Sequence, residues 1–91
     1  MITGTTKSGF EFTLEDDVLD DYDLLLQVAA LDKGDFTRLD DTFDTILGKA
    51  QKNKLREHIK KVTNRKKVSA SLMIEAFHEI FDAAGEAGKN S

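Results

Sequence analysis

Residues 6–17 read TKSGFEFTLEDD, and the architecture depends on where its strand stops and its helix starts. Lys7-Ser8-Gly9 has the form of a three-residue hairpin loop, with glycine where the backbone needs a positive φ. Ile2–Thr6 and Phe10–Leu14 flank it as β-branched or alternating segments. At period two, Phe10, Phe12 and Leu14 share one face, and Glu11 and Thr13 take the other. A lone two-stranded hairpin is barely stable in water, so the apolar face must pack on something. Two uses stay open: the hairpin caps a helical core, or its free edge pairs with a neighbouring subunit.

Outward from this stretch, the spacing predicts four helices. Thr13 is the expected N-cap of the first, with Glu15, Asp16 and Asp17 in its first turn. Val18, Tyr22, Leu25, Leu26 and Ala29 form its expected inward stripe, and Gly34 its end. Asp35 is expected to cap the second helix, with Phe36, Leu39, Phe43, Ile46 and Leu47 facing in and Gly48 as the break. A third helix spans about 49–62, with Ala50, Leu55, Ile59 and Val62 apolar among many bases. TNRKK at 63–67 reads as a polar loop. Ser69 then caps the last helix, with Val68 and Met73 as a hydrophobic staple. Its stripe is Leu72, Met73, Ala76, Phe77, Ile80, Phe81 and Ala84. The expected fold is mainly α: a small four-helix domain with an N-terminal β-hairpin, covering 1–84. GEAGKNS at 85–91 reads as a flexible C-terminal tail.

Composition narrows the function classes. Ninety-one residues make one domain with a small core, a size at which oligomerisation often adds stability. At 33% charged and 40% hydrophobic, the chain has enough apolar content to fold. No apolar run approaches the roughly 18 residues of a membrane span, and MITGTTKSG lacks a signal peptide's layout. Cysteine is absent, which removes disulfides, thiol nucleophiles and Cys-based zinc sites. These features predict a cytosolic protein. Charge is strongly divided: residues 1–47 hold 12 acids against 3 bases, whereas 48–91 hold 5 acids against 10 bases. A bipolar domain can attract its own copies or a partner of either sign.

Motifs for chemistry are missing. DKGDFTRLDD at 32–41 lacks the alternating acids and distal Glu of a calcium loop. GEAGKNS lacks the spacing of a phosphate-binding loop. His58 and His78 have Glu57, Glu75 and Glu79 nearby but no paired-histidine spacing for zinc. No serine sits in a nucleophile elbow. The expectation is no enzyme, no catalytic residue, no cofactor and no metal. Residues 49–67, KAQKNKLREHIKKVTNRKK, carry nine Lys or Arg and are the basis of an alternative reading as a nucleic-acid-binding or regulatory protein. No aromatic interleaves those charges, so a base-stacking platform is lacking. Six phenylalanines serve as core, or as core and interface together, since Ile74 lies outside the main stripe of the last helix.

Four stretches carry a likeness over the whole chain: TKSGFEF at 6–12, EDDVLDDYDLL at 15–25, ILGKAQKNKLREHI at 46–59 and the closing KNS. The chain resembles the short tail assembly chaperones of long-tailed bacteriophages, especially those of Gram-positive hosts. One departure is the turn before the last helix: similar proteins often have an acidic, glycine-containing turn, and here it reads TNRKK. The resemblance implies a non-catalytic, non-structural protein that binds the tape measure protein, keeps it soluble and helps the tail tube assemble around it. It also implies action in the cytoplasm of the infected or prophage-carrying bacterium, and absence from the mature virion. Many such genes yield a longer, frameshifted product that recruits tail-tube protein, and the loose GEAGKNS ending suits the short product. Homo-oligomerisation fits the divided charge, an acidic face meeting the next copy's basic third helix. The expected partner-binding residues are Arg56, Lys60 and Lys61, with Ile74, Phe77 and Phe81 on the exposed side of the last helix. A membrane is not an expected partner, and nucleic acid belongs to the alternative.

Overall fold

The computed structural model describes residues 1–89. Strands β1 (Ile2–Thr5) and β2 (Glu11–Leu14) form an antiparallel hairpin, followed by helices α1 (Tyr22–Asp32), α2 (Leu39–Leu47), α3 (Lys49–Thr63) and α4 (Ala70–Lys89). The hairpin register pairs Ile2 with Leu14 and Thr5 with Glu11. Gly9 closes the loop at φ +99°, with its N–H donating to Thr6 O at 2.9 Å. Phe10, Phe12 and Leu14 are buried and Glu11 and Thr13 exposed, as the alternation requires. β1 lies against α4 and β2 against α2, so the hairpin covers one side of the helices.

The first helix starts later than the capping pattern predicts. Leu14 still pairs with Ile2, and both backbone polar groups of Thr13 are bonded to the side chain of Gln51. Thr13 is therefore strand, not cap. Residues 15–20 turn instead, through Val18 N–H to Glu15 O at 3.1 Å and Asp20 N–H to Asp17 O at 2.9 Å. Asp21, in extended conformation, then caps α1 by accepting from Leu24 N–H at 3.1 Å. This shift rotates the helix relative to its expected stripe. Leu24 and Gln27 are buried, with Val28 and Leu31 packed partly against the core, whereas Tyr22, Leu25 and Leu26 point outward. Only Val18, in the turn, is buried as expected.

α1 ends in a Schellman motif, with Asp35 N–H reaching Ala30 O and Gly34 N–H reaching Leu31 O, both at 2.9 Å. Gly34 supplies the φ of +84° that this ending needs. Asp35 acts as a local cap, accepting from Thr37 N–H and Oγ1, but the turn it closes lies ahead of α2. Phe36 is consequently outside the α2 stripe and half exposed. Phe43, Ile46 and Leu47 are buried as expected. Gly48 joins α2 directly to α3.

In α3, Leu55 and Ile59 enter the core, and Val62 is half exposed. The helix stops at Asn64, which takes the left-handed conformation while Arg65 N–H bonds Lys60 O at 3.0 Å. Ser69 Oγ caps α4 at Leu72 N–H, and Met73 is buried with Val68 beside the core. The last helix continues through Lys89, past the Gly85 boundary where a tail was expected; Asn90 and Ser91 lie outside the described residues. Phe43 and Phe77 meet edge to face at 5.8 Å in the centre of the core. Fully burying side chains such as Phe43, Leu55 or Ile80 contributes about 1.5–3 kcal/mol each over leaving them exposed.

A candidate helix-docking surface

Nearly every face of α1 is apolar: YDLLLQVAALD holds eight apolar or aromatic residues besides Asp23, Gln27 and Asp32. A helix of this kind is ordinarily covered on all sides. Here the molecule covers only one side. Tyr22 is 72% exposed, Leu25 62% and Leu26 42%. With exposed Ala29 they sit at i, i+3, i+4 and i+7, the spacing of a helix-to-helix contact stripe.

This stripe runs into a groove of about 280 Å³ between α1, the turn before α2, and α4. Val28 and Leu31 form one wall, Phe36 and Leu39 one end, and Ile74 and Phe81 the opposite wall. Leu25 is one helical turn from Val28, so stripe and groove are continuous. Phe77 also lines the groove but is buried, edge to face with Phe43 and tilted against Phe81, both at 5.8 Å. It is floor and core, not an anchor on an exposed helix face. His78 stands at the groove edge, 5.9 Å from the Phe77 ring.

The basic residues do not converge on this groove. Arg56 is exposed beside a second recess, which shares Phe36 and Leu39 with the groove and adds Phe43, Val68 and Met73. Lys60 and Lys61 lie near the C-terminal end of α3, where Arg65 and Lys66 join them in a shallow basic recess. Glu57 partly offsets that charge through a 2.9 Å ion pair with Lys60. The expected partner-binding residues thus lie in three places, and Ile74 and Phe81 share one open wall.

Acids stand along both helices of the groove, while Lys33 and Arg38 adjoin its lining residues Asp32 and Leu39 at one end. Asp32 lines it, Asp20 and Asp23 stand at the far end of the stripe, and exposed Glu75 and Asp82 flank His78 on α4. A separate ion-paired cluster holds α2 to α3. Lys52 is only 8% exposed, yet its ammonium reaches Asp44 at 2.8 Å and Asp40 at 2.9 Å, the stem being buried and the head directed to the surface. Lys52 and then Lys49 hold the Asp44 carboxyl below its ordinary range. Asp44, followed by Asp40, raises Lys52 above its own. Oδ1 of Asp44 is closed off from water without a directed hydrogen bond, so the Lys52 charge compensates it.

His58 is committed to the hairpin loop. Its Nε2 lies 3.1 Å from both the carbonyl and the hydroxyl of Ser8, and its ring 5.7 Å from that of Phe10. Among the described residues no group of three acidic, histidine or cysteine side chains is placed to hold a metal ion. Among them, too, no helix is long and apolar enough to cross a membrane. Comparison with known protein families, curated proteins and solved structures finds no match to this chain.

Proposed function

We propose that this chain is a tail assembly chaperone of a long-tailed bacteriophage, binding the helical tape measure protein and promoting tail-tube assembly without catalysis. One observation carries the reading: an all-round apolar helix with one side uncovered, continuous with an apolar groove of helix-accepting form. A chaperone for a long helical client needs such a surface, because the client's own apolar stripe is unpaired until the tube encloses it. The resemblance of residues 6–12, 15–25 and 46–59 to phage tail assembly chaperones is what points to the tape measure protein as that client. On this reading the protein acts in the cytoplasm of the infected bacterium and is left out of the virion. A frameshifted longer product would recruit tail-tube protein. Co-expression tests the reading: a tape measure protein from the same genome becomes soluble with the chain, and remains insoluble with a Leu25→Gln/Leu26→Gln variant. Insolubility with the unaltered chain refutes it.

A second reading rests on the basic recess of Lys60, Lys61, Arg65 and Lys66. There the chain would be a small nucleic-acid-binding or regulatory protein. Duplex DNA would then be retarded in a gel with a steep loss of affinity as salt rises. The chaperone reading predicts no such retardation.

A further inference from the structure

We propose that the groove between α1 and α4 is selective for an amphipathic helix whose apolar stripe is bordered by lysine or arginine. This rests on the chaperone reading and specifies the chemistry of the client. Asp32 lines the α1 side, and the exposed acids Glu75 and Asp82 stand on the α4 side, one turn on either side of His78. No Lys or Arg lies within 22–32 or 70–88, and the bases nearest in the chain, Lys33 and Arg38, adjoin Asp32 and Leu39 at one end of the groove. A helix laid into the groove would thus carry its flanking residues past carboxylates on both walls. Lysines there are attracted, and glutamates are repelled and desolvated against like charge.

The same geometry argues against a second copy as occupant. α3 is the basic helix of this chain, but Leu55 and Ile59 are consumed by its own core and its exposed large apolar residue is Val62. α1 of a second copy would bring acids onto acids. The occupant is therefore a different chain, with its own apolar stripe and basic borders.

Two synthetic helices with one leucine pattern, bordered by Lys in one and Glu in the other, test this against the full chain by fluorescence anisotropy. The Lys-bordered helix should bind at least about tenfold more tightly at low salt, the gap narrowing as exposed charges are screened. A Glu75→Lys/Asp82→Lys/Asp32→Lys variant, its fold checked by circular dichroism, should lose or invert the preference. Equal binding of both peptides, preference for the Glu-bordered one, or binding of neither overturns the proposal. So does a dimer in sedimentation that Leu25→Gln dissociates, since the groove would then belong to a second copy. Rescue of the tape measure protein without peptide selectivity overturns this inference alone. Selectivity without rescue leaves it standing and overturns the chaperone reading.

Discussion

The side-chain amide of Gln51 pairs with the backbone of Thr13 in both directions. Nε2 donates to Thr13 O at 2.8 Å, and Thr13 N–H donates to Oε1 at 2.9 Å. One α3 side chain thus imitates the next strand of a sheet at the outer edge of β2. It also donates to Leu47 O at 2.8 Å, tying hairpin, α2 and α3 together. An edge blocked at Thr13 is less available to a neighbouring strand, which favours the hairpin as a cap on the core.

Gln51→Leu should therefore destabilise the protein by about 1–3 kcal/mol, since three hydrogen bonds are lost at a part-exposed site where water replaces some of them. Urea denaturation measures the change. A stability equal to that of the unaltered chain would show that the bridge contributes nothing.

Gly4 faces Phe12 across the hairpin, and a Cβ there would stand 2.6 Å from the tip of the buried Phe12 ring. The ring is only 4% exposed and has little room to withdraw. Gly4→Ala should cost about 1–3 kcal/mol through overpacking, seen as a lower melting temperature. The strand preference of Ala over Gly acts the other way, so an unchanged or raised melting temperature would mean that Phe12 moves freely.

The Asp40–Lys52–Asp44 cluster predicts a pH dependence with a definite sign. The lowered Asp44 carboxyl contributes stability that is complete above its ordinary value of 3.8 and lost as pH falls through the lowered one. Raised Lys52 contributes stability that is complete below 10.5 and lost as pH climbs through the raised value. Lys52→Met keeps the buried stem and removes the charge. Below about pH 4, the variant should lose stability less steeply than the unaltered chain in chemical denaturation at a series of pH values. Parallel curves would contradict the assignment.

Leu24 and Leu25 are adjacent in sequence and opposite in role, one buried and the other open to solvent. Leu24→Ala should cost about 2–5 kcal/mol, whereas Leu25→Gln should stay within about 0.5 kcal/mol. Similar losses at both positions would mean that α1 sits in another rotation or that a second copy covers it.

The hairpin and the last helix were legible because their patterns agree at each level. Gly9, the alternation of Phe10, Phe12 and Leu14, and the Ser69 cap with its Val68–Met73 staple specify the same local structures. The phase of α1 was not legible, for two physical reasons. Apolar residues surround this helix, so periodicity does not select an inward face. Its start is set by a tertiary event, the capture of Thr13 by Gln51, 38 residues away. With Thr13 held in the strand, Asp21 caps the helix instead. Phe36 leaves its expected α2 stripe for a similar reason, an Asp35–Thr37 turn that delays α2. Of the residues that line the groove, the sequence reading names Ile74, Phe77 and Phe81. Periodicity places Tyr22, Leu25, Leu26 and Phe36 in the core, because an uncovered face is visible only when helix rotation is known.

Hydrogen–deuterium exchange of the full chain, alone and in complex with a soluble tape measure segment, tests most directly where the client sits. The account predicts slower exchange in 22–39 and 74–81, the stripe and groove walls, with residues 49–67 unchanged. Protection confined to 49–67 or to the hairpin, with the α1 and α4 segments unaffected, would contradict it.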